Sequence, residues 1–440
     1  MKAFAVGLVL LGWATTAAAQ ETVIAVRAAR MIDTRNGAVV ERPVVVVRGD
    51  RIIAAGPDVQ VPPGAQLIEL PEHTLMPGFI DMHTHLTSDP SGGYADRALH
   101  QWPGYAAIVG VKNARLTLMA GFTTVRNVGA DDWADVALRD AINAGLVPGP
   151  RMFTSAWSLG ITGGHCDTNG FRPDILVEPG PEKGIANGTA AVAEAVRYQI
   201  KYGADVIKIC ATGGVLSAGD GVGVQQFTLD EIRSIVETAA MAERRVAAHA
   251  HGVEGIKAAV RAGVASIEHG SVLDDEAISL MREHGTWLVP TRMAFEEVVR
   301  GAREGRLAPW SATKALEIAP HAEQSFARAV AAGIRIAFGT DAGVFPHGLN
   351  ADEFRLMVEA GMTPMQTLQA ATVGAAELLG PQGRDLGAIA SGMSADLIAV
   401  RGNPLADIGL LRQVEFVMRS GFVYKMDGQE RTRSVTDYMP

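Results

Sequence analysis

One pattern limits the folds open to this chain more than any other. A helical stretch ends in glycine, and a run rich in apolar and β-branched residues follows at once. It occurs at Ala120-Gly121-Phe122-Thr123-Thr124-Val125, at Ala144-Gly145-Leu146 ahead of Arg151-Met152-Phe153-Thr154, and at Tyr202-Gly203-Ala204-Asp205-Val206-Ile207. It returns at Ala262-Gly263-Val264-Ala265-Ser266-Ile267, at His284-Gly285-Thr286-Trp287-Leu288-Val289 and at Ala332-Gly333-Ile334-Arg335-Ile336-Ala337-Phe338. Glycine tolerates the left-handed backbone that closes a helix. Continuous apolar runs are the strands of a parallel sheet covered on both faces. Val246-Ala247-Ala248 is a further run without the glycine, and Phe79-Ile80 opens the series. Eight βα units are the count of a (β/α)8 TIM barrel, expected over residues 77–385. A doubly wound open sheet is the alternative.

Outside that region the text is strand-like. Residues 21–76 contain short β runs at 23–26, 44–47 and 51–55, punctuated by Gly49-Asp50 and Pro62-Pro63-Gly64. Similar runs return over 386–430, at 386–389, 395–400, 416–418 and 422–424. The two chain ends are therefore expected to form one small β-sandwich domain. A polar, loosely ordered stretch follows from Gln429, with 431–440 as a tail. His73 falls just before the barrel entry and reads as structural.

The first 20 residues have the three parts of a secretory signal: Lys2, an apolar run through Val9-Leu10-Leu11, and Ala17-Ala18-Ala19 before the cut. The mature protein is expected to be exported, most simply to a periplasm, and free of the membrane once the signal is removed. The formal charge of −9 becomes about −10 when Lys2 is lost. An acidic chain without a basic run argues against nucleic acid as partner. Cys166 and Cys210 are the only cysteines, so at most one bridge can form.

Barrel active sites gather where the strands end. The first strand ends in Asp81-Met82-His83-Thr84-His85, and residues two apart on a strand point the same way. The fifth ends in His249-Ala250-His251, the sixth in Glu268-His269 and the eighth in Gly339-Thr340-Asp341. The fourth strand carries Lys208 inside Val206-Ile207-Lys208-Ile209-Cys210. Imidazoles and carboxylates in this grouping are ligands for zinc and its neighbours. A buried lysine is costly unless paired or neutralised. Two readings of Lys208 stay open: a salt bridge to an acid such as Glu268, or an amine of depressed pKa that takes up carbon dioxide.

Pro77-Gly78-Phe79-Ile80-Asp81-Met82-His83-Thr84-His85 resembles the opening signature of the amidohydrolase superfamily. Gly339-Thr340-Asp341-Ala342 resembles its closing strand, and Gly392-Met393-Ser394-Ala395-Asp396-Leu397-Ile398 its returning β domain. Ile161-Thr162-Gly163-Gly164-His165, Thr212-Gly213-Gly214 and Ala248-His249-Ala250-His251-Gly252 are similar to one branch of it. That branch holds imidazolonepropionase-like peptidases, Xaa-Pro dipeptidases and ochratoxin-hydrolysing amidohydrolases, and the bacterial ochratoxin A-degrading enzymes are nearest in pattern. The resemblance implies two zinc ions, one held by His83, His85 and Asp341 and the other by His249 and His269. A carbamate on Lys208 and a hydroxide would bridge them, with Asp341 moving the proton. His251 in place of His249 is the alternative ligand. The resemblance also implies a homo-oligomer.

The implied activity is hydrolysis of an amide or peptide bond that releases a C-terminal apolar or aromatic amino acid. Ochratoxin A, dipeptides and N-acyl amino acids are the expected substrates. His165 and His251 are candidates for contacting the substrate carbonyl or carboxylate, or for supporting the metal ligands from behind, and Arg292 for pairing with a carboxylate. His347, Ser88, Leu216 and Phe345 are candidates for lining the pocket. A mononuclear deaminase or cyclic amide hydrolase is the rival within the superfamily, and Glu254 is the one acid placed to serve it. An inactive barrel acting as a binding protein is the remote alternative.

Overall fold

The computed structural model describes residues 22–90, 98–175 and 177–431. The signal-like segment 1–20 and most of the predicted tail lie outside the described residues. Both ends of the chain build one nine-stranded sheet. Its first five strands are β1 (Val23–Asp33), β2 (Ala38–Glu41), β3 (Val44–Arg48), β4 (Arg51–Gly56) and β5 (Gln66–Pro77).

The parallel core follows. It comprises β6 (Phe79–Thr84), β7 (Phe122–Asn127), β8 (Arg151–Thr154), β9 (Ile207–Cys210), β10 (Val246–Ala250), β11 (Ser266–His269) and β12 (Trp287–Val289). The chain then returns to the first sheet with β13 (Leu397–Arg401), β14 (Val414–Arg419), β15 (Phe422–Met426) and β16 (Gln429–Glu430).

The two ends meet along β5, which pairs parallel with β1 and antiparallel with β13. Val45 and Val47 of β3 share a buried cluster with Phe416 and Met418 of β14, although these strands lie far apart in the sheet order. The sheet therefore curls over a common interior. Its edges touch at the turns: Gly421 has φ +77°, and a Cβ there would collide with the Gly49 carbonyl.

The core strands form two parallel sheets, β6-β7-β8 and β9-β10-β11-β12. Every residue of β6, β7, β9, β10, β11 and β12 is buried, as strands covered on both faces should be. Helices pack outside them. Those at Val253–Ala262 and Asp275–His284 close on Gly263 and Gly285, both left-handed.

Irregular segments join the two sheets on both flanks. Leu159 donates to the Lys208 carbonyl and accepts from Cys210, at 2.8 and 2.9 Å. On the other flank Leu288 donates to Arg335 and accepts from Ala337, at 2.8 and 3.0 Å, while Met82 donates to Phe338 at 2.9 Å.

Three expectations are corrected. Residues 334–338 hold an isolated parallel bridge, Ile336 to Leu288, rather than a regular eighth strand. The Phe338 N–H leaves the ladder for the Ala370 carbonyl, 3.0 Å away, and Asp341 turns left-handed at φ 61°. Residues 386–389 form no strand, because Gly387 bends at φ +76° against the Thr372 backbone. Gln429–Glu430 is not loose but pairs with Lys425 and Met426 as β16.

Two helices, Arg292–Arg303, which the sequence left unassigned, and Pro309–Ala331, which the Ala332-Gly333 signal closes, pack together after β12. Their Phe295, Val298, Ala315 and Ile318 bury Val215 from the loop after β9.

Candidate metal centre

His83 is fully buried at the end of β6 because its strand is covered on both faces. Its Nδ1 pairs with Glu268 Oε2 at 2.8 Å, which turns Nε2 toward Asp341 Oδ1, 3.4 Å away. His85 Nδ1 pairs with the Gly129 carbonyl at 3.2 Å, leaving its Nε2 3.3 Å from the same Asp341 oxygen. The Asp341 backbone N–H donates to the His83 carbonyl at 2.8 Å. Behind it, the buried Asp81 carboxylate accepts from Thr340 Oγ1 at 2.6 Å and Asn350 Nδ2 at 2.8 Å. Three non-glycine residues at this end of the strands, His269, Thr291 and Asp341, hold φ values of 72°, 48° and 61°. Backbone held in that region is costly and tends to collect at functional sites.

Around this first group stand the imidazoles of β10 and β11. His249 lies 4.6 Å from His269 and 4.5 Å from His251 between ring centroids, and His83 lies 5.0 Å from His269. His249, His251 and His269 each offer a ligand atom within 4.8 Å of the others, as do His83, His269 and Asp341. His251 Nδ1 pairs with Ser271 Oγ and His269 Nδ1 with Thr291 Oγ1, both at 2.7 Å. Hydrogen bonds of this kind fix which ring nitrogen is left for an ion. The residues present fit a metal: His249 Nε2 is buried with no hydrogen-bond partner. A buried polar atom left unmatched in this way is costly without a partner.

The charges agree with that use. Burial, with the Lys208 charge second, pushes His83 down to about 4, and burial holds His249 and His269 well below the ordinary histidine value. All three are neutral near pH 7, the state in which imidazole binds metals. Burial would raise Asp341, but His83, His85 and Lys208 outweigh it and keep the carboxyl below its usual range. Burial brings Lys208 down to about 8 against the pull of Glu268 and Asp341.

Glu268 does not form the simple salt bridge to Lys208. Its carboxylate is taken by Arg126 Nη2 at 2.8 Å, by Ser266 Oγ and by His83. Burial would raise Glu268, yet Arg126 and His83 bring it to about 2. Glu268 and Arg126 thus support His83, and only Glu268 was singled out from the sequence, for another role.

The remaining predicted residues fall in different places. His165 stacks on His249 at 4.2 Å, so the loop after β8 reaches the cluster. Cys166, its neighbour, forms a disulfide with Cys210 of β9 and ties that loop to the strand of Lys208. Arg292 is part-buried at the start of its helix, its guanidinium 5.7 Å over the Phe295 ring, with Nη1 buried and unpartnered. Phe295 in turn lies 5.9 Å from His251 and 6.2 Å from His269.

Ser88 is half-buried, and its carbonyl lies 3.3 Å from His347 Nε2. Leu216 is exposed beside the buried Val215. Phe345 has 1% exposure and packs with Met293, Ala342 and Leu356, so it offers a substrate no surface. Phe295 is the ring against the cluster. His73 pairs with Glu415 at 2.9 Å within the β sheet.

A family model described as the amidohydrolase family matches residues 74–425. The chain is 36% identical over 413 residues to the ochratoxinase of Aspergillus niger, covering 88% of this chain and 84% of that one. The solved structure of a Xaa-Pro dipeptidase with bound methionine in its active site is 40% identical. It superposes with a TM-score of 0.88 over 92% of this chain and 100% of the other. The structure of the A. niger ochratoxinase gives a TM-score of 0.84 at 32% identity, over 93% and 97% of the two chains. A match of this length, over the residues that build the parallel core and its histidine cluster, makes this chain a member of the amidohydrolase family.

Proposed function

We propose that this hydrolase cleaves an amide or peptide bond and releases a C-terminal apolar or aromatic amino acid, using two zinc ions. Ochratoxin A, giving ochratoxin alpha and phenylalanine, is one expected substrate; dipeptides and N-acyl amino acids are others. The observation that carries the reading is the gathering of His83, His85, Asp341, His249 and His269 in one cluster, four of them under the influence of the buried Lys208 charge. The ions would be held by His83, His85 and Asp341 on one side and by His249 and His269 on the other, with carboxylated Lys208 shared. Two ions so held supply an activated water and polarise the scissile carbonyl.

The chain's own residues do the rest. Asp341 takes a proton from the attacking water and passes it to the departing amine. His165 and His251 contact the substrate near the reacting carbonyl. Arg292 supplies a cationic, unmatched Nη1 for the substrate carboxylate, and Phe295, the ring beside His251 and His269, gives the freed amino acid an apolar edge. Behind this arrangement, we read the two parallel sheets and their joining segments as one eight-unit barrel. Export is part of the same proposal. The signal-like start and a disulfide suited to an oxidising compartment both support it.

The deaminase reading loses its candidate acid. Glu254 is exposed and points to Lys257 at 3.8 Å.

The test is a panel of amides given to the zinc-loaded protein before and after chelation. It contains dipeptides with apolar, proline and basic C-terminal residues, N-acyl-phenylalanines and ochratoxin A. Release of phenylalanine that disappears with the metal and returns with zinc is expected. No cleavage across the panel, with ammonia released from amino-heterocycles instead, would overturn the reading.

A further inference from the structure

The loop at 212–226 and the helix Pro309–Ala331 hold a part-buried polar network that gives the metal centre no ligand. Asp220 accepts from Lys314 Nζ at 2.8 Å, from Gln226 Nε2 at 3.2 Å and from the Gly214 N–H at 3.1 Å. Ser217 Oγ lies 2.7 and 2.8 Å from the two Asp220 oxygens and 3.4 Å from the Gly214 carbonyl. On its other side it lies 2.8 Å from His165 Nδ1. Lys314 also donates to the Gly214 and Ser217 carbonyls, at 2.9 Å each, and so clamps the loop in place. Burial raises the Asp220 carboxyl, but the hydrogen bonds from Lys314 and Ser217 outweigh it and keep it ionised.

Counting protons settles the direction of the chain of bonds. A serine hydroxyl has one proton to give. Apart from His165, the groups around Ser217 Oγ are a carboxylate and a carbonyl, which only accept. Ser217 therefore donates to Asp220 and receives its own hydrogen bond from His165 Nδ1–H. In the neutral ring this leaves Nε2 bare, an acceptor. The ring is also fixed in place. It stacks on His249 at 28°, and Gly214 covers it so closely that any Cβ there would collide with three ring atoms.

We propose that Asp220, acting through Ser217 and clamped by Lys314, is a positioning residue that holds His165 as the Nδ1–H tautomer. Its Nε2 then accepts a hydrogen bond from the N–H of the scissile amide. The inference rests on the amidase reading and narrows it: the favoured substrates are secondary amides that carry this N–H. On this proposal His165 meets the scissile N–H rather than the substrate carbonyl or carboxylate, since a bare nitrogen cannot donate to either.

The test has two independent arms on the zinc-loaded protein. In the first, nitrogen-15 NMR of labelled histidines reads the tautomer, with His165→Gln identifying the His165 signals. Wild type is expected to show Nδ1–H. Asp220→Asn is expected to shift the ring toward Nε2–H, because the new amide can donate to Ser217 and free the serine proton for Nδ1. An Nε2–H ring in the wild type, or no shift in Asp220→Asn, overturns the proposal.

In the second arm, kcat/KM is compared for an N-acyl-phenylalanine and its N-methyl counterpart. Wild type should prefer the N–H substrate by about tenfold, roughly one hydrogen bond. Asp220→Asn and Ser217→Ala should each lower that ratio by about tenfold relative to wild type, a comparison in which the steric effect of the methyl group cancels. A ratio unchanged by both variants overturns the proposal. Wild-type protein that cleaves neither amide would refute the amidase reading instead, while the NMR arm still decides the tautomer.

Discussion

Lys208→Ala is expected to lower amide hydrolysis on the order of 10⁴-fold and to cost the protein most of its bound metal. The reason lies in the sign of one charge. An unmodified lysine there is a cation with a folded pKa of about 8, set among the imidazoles that would hold the ions. Such a charge opposes a metal cation at close range. Uptake of carbon dioxide forms an N–C bond, releases a proton and leaves an anion in the same place. Burial favours the step because it raises the share of neutral amine. Glu268 does not compensate, since Arg126, Ser266 and His83 already hold its carboxylate. Lys208→Arg keeps the cation and removes the chemistry, and should fall as far as the alanine variant. Either variant retaining activity within tenfold of wild type would contradict the assignment.

Asp341→Asn should lower kcat by about 10²–10⁴-fold while KM moves little. The amide keeps the shape of the carboxylate but cannot take up the proton that the departing amine needs. The segment should stay in place, because its anchors are elsewhere. They are the Asp341 N–H on the His83 carbonyl, and the Asp81 carboxylate on Thr340 and Asn350. A steady-state assay on N-acyl-phenylalanine reads both parameters. A kcat within a few-fold of wild type would remove Asp341 from proton transfer and leave it a ligand at most.

Much of this centre was legible in the sequence for a physical reason. The alternation of a strand puts His83 beside His85 and His249 beside His251, and a charge inside an apolar run makes Lys208 conspicuous. Those signals are local. What could not be read depends on contacts between distant segments. Asp220 and Lys314 are 94 residues apart, and each looks alone like a surface charge in a glycine-rich loop or a helix. Arg126 reaches Glu268 across 142 residues and could not be matched to it by spacing.

The eighth strand failed as a prediction because its backbone serves two masters. Phe338 gives its N–H to Ala370, and Asp341 turns left-handed. The sequence marked Phe345 as a pocket candidate, and only packing shows that Phe295 is the ring that meets the histidines. The helix that carries Phe295 had no glycine-then-strand signal after it and was not assigned, while the helix that carries Lys314 was marked only at its end, by Ala332-Gly333.

The central claim is a pair of ions held by ligands from five segments. The most direct measurement is elemental analysis of the protein as purified and after zinc reconstitution, with ions counted per chain. The account predicts two per chain, falling to one or fewer in Lys208→Ala. A single ion in the wild type that Lys208→Ala leaves unchanged, or none at all after reconstitution, would contradict it.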